Sequence, residues 1–282
     1  MLPSRASADP AQPAGIADPV RLKRGVFGTA SLGSKCAPDI ARQVLRQAIA
    51  SGFHQFDTAP FYGAGHAERL LGELGDEGMR VSTKFGSPRP SRLRFMAVRV
   101  LRGRRPGDLV PPPALLVSRD GEFDCAAQRR PPAQLSASMA ALSKCAQGFL
   151  FAHSPPRFPG AAAVSAWSDL ARSSGYVLGV SGPRNEDMEA WLEVAPADAC
   201  FQLHLDTLES LTDPVLDRLA RRTVWIHGIF SPPTGAGPTH AADRQKLAHR
   251  WAADLAQAAF VVTSTRPEGV ARAGAFVREL EG

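Results

Sequence analysis

The sequence predicts an α/β protein with a (β/α)8 TIM barrel, and two observations point to this fold class. Short apolar runs alternate with stretches whose apolar residues recur at three- and four-residue spacings, the pattern of strand–helix units on a parallel sheet. Eight such pairs fit into the 282 residues, and eight parallel strands close a barrel. A doubly wound open sheet is the alternative, but no G-x-G-x-x-G motif follows the first strand.

The predicted strands are short, and most of them end in a polar residue or a glycine. They run from Gly25 to Gly28, Phe53 to Asp57, Arg80 to Phe85, Gly148 to His153, Tyr176 to Ser181, Ala199 to Leu203, Thr223 to Gly228 and Ala259 to Thr263. The first helix begins near Pro38 and Asp39, as helix starts commonly do, and the others cover 67–74, 134–143, 161–173, 186–193, 214–220, 241–256 and 267–280.

Two segments interrupt this regular pattern. Residues 1–22 mix proline, alanine and charged residues and predict a flexible N-terminal tail ahead of a barrel over 23–282. Residues 87–132 form a long insertion with eight prolines and ten arginines against four acidic residues, which accounts for the whole net charge of +6. We expect this insertion to lie over the carboxyl end of the barrel near the substrate; a solvated, partly disordered loop is the alternative.

Composition narrows the classes of function. The four cysteines form no C-x-x-C pair, no run approaches 18 apolar residues, and the N-terminus lacks an apolar signal core, so we expect a reduced, cytoplasmic protein without a membrane span. A binder of nucleic acid or of anionic surfaces through the arginines is a further alternative, but neither interleaved aromatics nor a known motif accompanies them. We expect no metal site.

Polar residues stand where several predicted strands end. Because all strands of a barrel open their carboxyl ends onto one face, side chains distant in sequence converge there. This set comprises Asp57, Lys84, His153, Ser181, Gln202, His227 and Ser264.

Three of these strand ends, together with Tyr62, suggest acid–base chemistry. A buried Lys84 is costly unless it is paired, and Asp57 could be its partner. A nearby ammonium would favour the phenolate of Tyr62 and ease proton transfer to a carbonyl oxygen, which His153 could orient. Taken singly, Asp57 could cap a turn, Tyr62 could serve packing and His153 could be a satisfied core histidine.

The same residues carry a resemblance to a known family. Asp57-Thr58-Ala59 with Tyr62-Gly63 and Glu68, then Thr83-Lys84, then His153 followed by Pro155, resemble the aldo-keto reductase signature. Gly28-Thr29-Ala30, Gly179-Val180-Ser181, Gln202 and the segment 261–272 extend the match. The resemblance implies a (β/α)8 barrel that binds a nicotinamide cofactor without a Rossmann domain.

The resemblance also implies roles for individual residues. The catalytic tetrad is Asp57, Tyr62, Lys84 and His153, with Tyr62 as the acid or base. Ser181 and Gln202 bind the nicotinamide carboxamide, and His227 stacks on its ring where the family usually has an aromatic residue. The full set of implied cofactor-binding residues is Gly28, Thr29, Asp57, Ser181, Gln202, His227, Ser264, Thr265, Arg266 and Arg272.

Departures from the family pattern leave the cofactor and substrate open. Gly182 replaces an asparagine, and Gly269 and Ala273 stand where NADP-preferring members often have arginine and asparagine. Since Arg266 and Arg272 could substitute, NADP(H) keeps a slight preference over NAD(H). The opening Phe27 to Gly33 is similar to the sugar-dehydrogenase branch, so an aldose or small aldehyde is the first substrate expected and an anionic substrate the second.

The sequence therefore predicts an NAD(P)(H)-dependent oxidoreductase that interconverts a carbonyl compound and an alcohol. Its partner is a small carbonyl or sugar molecule, and we expect a monomer or weak homodimer. The alternative is a non-catalytic barrel subunit that senses the cofactor and regulates a protein partner.

Overall fold

The computed structural model of the chain describes residues 23–32, 35–86, 133–155, 158–230 and 239–282. The predicted tail, at 1–22, and the predicted insertion, at 87–132, lie outside these ranges.

Eight parallel strands close a barrel in sequence order, which confirms the predicted fold class. The strands are β1 Gly25–Gly28, β2 Gln55–Asp57, β3 Arg80–Phe85, β4 Ala146–His153, β5 Val177–Ser181, β6 Cys200–His204, β7 Thr223–His227 and β8 Ala258–Val262. Closure is made by β1 and β8, where Val26 is the register partner of Val261. The carboxyl ends of all eight strands therefore share one rim.

Helices follow the strands around the outside. They are α1 Pro38–Ala50, α2 His66–Leu74, α3 Ala133–Ala141, α4 Ala161–Ser173, α5 Met188–Val194, α6 Leu205–Leu208, α7 Asp213–Leu219, α8 Thr239–Asp254 and α9 Pro267–Glu281. Short 3-10 turns at Tyr62–Gly65 and Asn185–Asp187 precede α2 and α5. Both α1 and α9 begin with a proline, whose fixed φ and missing N–H suit the first turn.

The predicted element boundaries hold to within two residues, and some of the small differences have local causes. Strand β7 ends at His227 because Gly228 has a φ of +88°, outside strand geometry. Strand β6 runs one residue further than predicted, to His204, and is followed at once by the unpredicted helix α6.

Two apolar clusters account for the packing. The larger lies between the barrel and the helices, where Phe27, Phe56, Trp167 and Trp191 are buried. The smaller fills the bore and takes alternate residues of the strands, as the two-residue period of a strand requires. It consists of Val26, Phe149, Phe151, Cys200, Trp225, Ala259 and Val261. This bore cluster forms the floor beneath the polar rim.

The described ranges also bear on the presence of membrane spans, metal sites and disulfides. None of the helices described is long and apolar enough to cross a membrane. The same ranges hold no group of three His, Cys, Asp or Glu side chains placed to bind a metal ion. Cys36, Cys145 and Cys200 are free thiols.

Candidate active site

A buried ion pair lies at the centre of the rim. Asp57 ends β2 and Lys84 stands near the end of β3; only 4% and 2% of their surfaces are exposed. The Lys84 ammonium donates to Asp57 Oδ1 and, at 3.1 Å, to Gln202 Oε1. The predicted pairing is thus present in the structure, and Gln202 joins it from the far side of the barrel.

Neighbouring groups hold this ion pair in place. Thr29, fully buried after β1, donates its backbone N–H and its hydroxyl to the Asp57 carbonyl oxygen, at 2.9 and 3.0 Å. Behind β3, the hydroxyl of Thr83 donates to the buried carboxylate of Glu68 at 2.8 Å. The first contact ties β2, which carries Asp57, to the end of β1. The second ties β3, which carries Lys84, to helix α2.

The floor under Lys84 is aromatic. Its ammonium lies 5.0 Å from the centroid of the Phe151 ring and 5.9 Å from that of Tyr62, within the range of cation–π attraction. A β-carbon on Gly179 would lie 2.3 Å from Phe151 Cδ1, so glycine at this position leaves room for the ring. Burial lowers the pKa of Lys84, and the charge of Asp57 opposes that shift.

Tyr62 and His153 complete the predicted tetrad and share a neighbour. The ring of Phe61 stacks on His153, with centroids 4.9 Å apart, and meets Tyr62 edge-on at 4.7 Å. Burial, with the charges of Lys84 and His227, lowers the pKa of His153 to about 3. His153 is therefore a neutral hydrogen-bonding group at physiological pH.

The acidity of Tyr62 differs from the expectation drawn from its neighbours. Burial first, and then the negative charge of Asp57, raise the pKa of the phenol well above its usual value. The expected lowering of this pKa by Lys84 does not prevail because burial, the larger effect, and the charge of Asp57 both raise it. Tyr62 thus holds its proton at neutral pH.

The predicted carboxamide-binding residues form one network with the ion pair. Ser181, at the end of β5, donates to Gln202 Oε1 at 2.6 Å, so that oxygen accepts from both Ser181 and Lys84. Among the described residues, the amide nitrogen of Gln202 donates to no partner. A free amide donor beside a buried hydroxyl fits the carboxamide of a nicotinamide.

The remaining predicted cofactor residues lie further round the rim. Gly28 ends β1 against Val261 and Thr263, where a β-carbon would lie within 3.0 Å of both side chains. His227 ends β7 and is half-buried.

The phosphate-binding prediction falls on the turn between β8 and α9. Ser264 Oγ accepts from the backbone N–H of Arg266 at 3.1 Å and donates to its carbonyl at 2.7 Å. The side chains of Arg266 and Arg272 are exposed, and Ser264 and Thr265 are partly so. Since α9 begins at Pro267, the N-terminus of this helix lies next to the turn, a suitable place for a phosphate.

Some neighbours of the site had not been predicted as functional residues. Phe61 precedes Tyr62, and Phe151 stands two residues before His153 on the same face of β4, so the strand period could have identified Phe151. His204, Asp206 and Arg244 lie beside His227, and Arg244 comes from a distant helix that no local pattern connects to the site.

Comparisons with known proteins bear on the first part of the chain and on the fold. Residues 26–100, which contain β1 to β3, match the model of the Aldo/keto reductase family. A comparison with curated proteins gives no match.

Solved structures share the fold. A Pseudomonas aeruginosa protein assigned to the aldo-keto reductases has a TM-score of 0.63 at 18% identity, over 92% of this chain and 90% of its own. The glycerol dehydrogenase of Gluconobacter oxydans has a TM-score of 0.56 at 19% identity, over 90% and 85% of the two chains. An aldo-keto reductase of Klebsiella pneumoniae, in complex with NADPH, has a TM-score of 0.55 at 17% identity, over 90% and 85%. Over residues 26–100 the chain is therefore similar to the Aldo/keto reductase family, and as a whole it shares the closed barrel fold of these solved structures.

Proposed function

We propose that the protein is an NAD(P)(H)-dependent oxidoreductase that interconverts an aldehyde, ketone or aldose and the corresponding alcohol, with Tyr62 as the general acid or base. The observation that carries this proposal is the buried Lys84–Asp57 pair, linked through Gln202 to Ser181 and bordered by Tyr62. A buried pair of this kind is costly to fold, and positions beside it are suited to stabilising charge that develops during a reaction.

Proton transfer is assigned to Tyr62. In the reducing direction the protonated phenol donates to the carbonyl oxygen of the substrate, and in the oxidising direction the phenolate accepts the proton of the alcohol. The raised pKa of Tyr62 favours the reducing direction near neutral pH, because the phenol is then in its acid form. Lys84 stabilises the phenolate that forms, and the charge of Asp57 opposes the lowering of the Lys84 pKa by burial.

The other residues of the site bind the cofactor and orient the substrate. Neutral His153 donates a hydrogen bond that orients the substrate oxygen. Ser181 and the free amide donor of Gln202 would hold the nicotinamide carboxamide, and His227 would pack against its ring. A bound nicotinamide cofactor supplies the hydride in reduction and accepts it in oxidation.

NADP(H) is preferred over NAD(H) in this proposal. The exposed guanidinium groups of Arg266 and Arg272, near the start of α9, suit a 2′-phosphate. The NADPH in the Klebsiella pneumoniae structure supports the same preference.

The chain offers a matched pair of variants to test this function, since Tyr62 and Tyr176 are its only two tyrosines. Tyr62→Phe removes the proton donor, so turnover on a panel of aldehydes and aldoses falls by about 10²- to 10⁴-fold while NADPH binding, followed by its fluorescence, persists. Tyr176→Phe changes a buried phenol next to β5 and leaves turnover intact.

Two results would contradict the proposal. Turnover of Tyr62→Phe at the wild-type rate would remove Tyr62 as the acid. Failure of the wild-type protein to bind NADPH or NADH would overturn the oxidoreductase assignment itself.

A further inference from the structure

A second polar cluster lies beside the site, at the ends of β6 and β7. His204 and His227 are direct register partners on these parallel strands. Their rings meet edge to face, with centroids 5.1 Å apart and an interplanar angle of 78°. The orientation of His227 is therefore coupled to that of His204.

Gly228 allows this contact. Its φ is +88°, and a β-carbon there would lie 2.2 Å from His204 Nε2. The His204 ring thus rests against the backbone that follows His227, and any side chain at position 228 would displace it.

Asp206 and Arg244 hold the two strand ends together. The backbone N–H of Asp206 donates to His204 Nδ1 at 3.3 Å. The guanidinium of Arg244, on α8, donates through Nη1 to Asp206 Oδ1 at 2.6 Å and through Nε to the Gly228 carbonyl oxygen at 2.9 Å. One arginine therefore fixes the backbone after β7 and, through Asp206, the ring at the end of β6.

Stability alone does not account for Arg244. Only 5% of its surface is exposed, and within the described ranges its Nη2 has no hydrogen-bond partner. Removing a guanidinium from water costs several kcal/mol, and the half-exposed carboxylate of Asp206 recovers only part of that. Arg244 is better explained by the positions in which it holds Asp206 and the Gly228 backbone.

We propose that Arg244, Asp206 and His204 are positioning residues that fix the His227 ring in the orientation in which it packs against the nicotinamide. The proposal rests on the proposed function for the role of His227. None of the three residues touches the reacting atoms; they act through His227 and through the Gly228 backbone.

The test compares Arg244→Lys with Arg250→Lys. Lysine keeps the charge but lacks the fork that reaches Asp206 and Gly228 at once. Arg250 lies on the same helix, is exposed and pairs with Glu209, so it controls for the loss of a guanidinium. The cofactor-free readout is the imidazole ¹⁵N–¹H spectrum of His227, and the second readout is the Kd for NADPH.

In Arg244→Lys we expect the His227 resonances to shift or broaden and the Kd for NADPH to rise about tenfold, equivalent to about 1.4 kcal/mol. The KM for the carbonyl substrate changes much less, since the contacts of Tyr62 and His153 are intact. Gly228→Ala displaces the same His204 ring and changes both readouts in the same direction, whereas Arg250→Lys changes neither.

A lower thermal midpoint in Arg244→Lys, with unchanged His227 resonances and an unchanged Kd, would show a purely structural role and overturn the proposal. If the wild-type protein binds neither cofactor, the proposed function fails separately. The spectrum of the cofactor-free protein still decides the positioning: shifted His227 resonances support it, and unshifted ones refute it.

Discussion

The two ends of the candidate site are built in opposite ways. The acid half, Asp57, Tyr62, Lys84 and His153, is enclosed by strands and aromatic rings, and its ion pair is buried. The end proposed to bind phosphate, called the phosphate end here, lies at the surface with both arginines exposed and consists of Ser264, Thr265, Arg266 and Arg272. Burial makes charges strong but costly to fold, whereas exposed charges bind ligands at little cost to the fold. Substitutions in the acid half should therefore change both the free energy of unfolding and turnover. Substitutions at the phosphate end should change cofactor binding alone.

The largest effect expected from this contrast is on folding. Lys84→Met leaves Asp57 buried without its counter-charge and costs about 3–5 kcal/mol in the free energy of unfolding, measured by urea denaturation. The double variant Asp57→Asn with Lys84→Met recovers much of that loss but no turnover. Arg42→Met, which breaks an exposed ion pair with Glu73, costs at most about 1 kcal/mol. A double variant as unstable as Lys84→Met would mean that packing, and not the unpaired charge, dominates.

A second effect concerns acid stability. The pKa of His153 is about 3 in the folded protein against 6.5 ordinarily, so between these values the unfolded chain binds a proton that the folded chain does not. Stability is therefore complete above pH 6.5 and falls below it, by up to about 1.4 kcal/mol per pH unit for this group.

His153→Gln removes that titration, so urea midpoints measured from pH 7 to pH 4 should fall less steeply than in the wild type. His249→Gln replaces an exposed histidine on α8 and serves as the control for the loss of a histidine. Identical slopes in the His153→Gln and wild-type proteins would exclude His153 as the source.

The smallest effect on the fold should come from the phosphate end. Arg266→Gln should weaken NADPH binding about tenfold, leave NADH binding unchanged and alter the free energy of unfolding by less than about 0.5 kcal/mol. Arg221→Gln, at the opposite end of the barrel before β7, serves as the control for loss of a positive charge. Equal weakening for both cofactors would assign Arg266 to a part of the molecule that they share.

The sequence predicted those features of the fold and site that depend on residues close together in the chain or on the cost of burying a single charge. The alternation of strands and helices predicted all eight strands, and the cost of burying Lys84 predicted its pairing with Asp57. Contacts across the bore were not predictable in this way. Gln202 meets Lys84 because β6 faces β3 in the closed barrel, and Arg244 reaches Asp206 across 38 positions in sequence.

The direction of the Tyr62 pKa shift also escaped prediction. It depends on how deeply the phenol is enclosed and on the presence of Asp57 beside Lys84, which are properties of the assembled rim. The type and sign of neighbouring charges can be inferred from sequence, but their balance requires the structure.

The hydrogen bond from Lys84 to Gln202 has a consequence for how the protein could change its substrate. With Asp57 on β2 and Gln202 on β6, one ammonium braces opposite walls of the barrel, so the floor of the pocket cannot widen without breaking the brace. A relative evolving towards a bulkier substrate would keep this floor and alter the loops above it. Directed evolution of this scaffold would accordingly succeed through loop libraries and fail through randomisation of the strand ends.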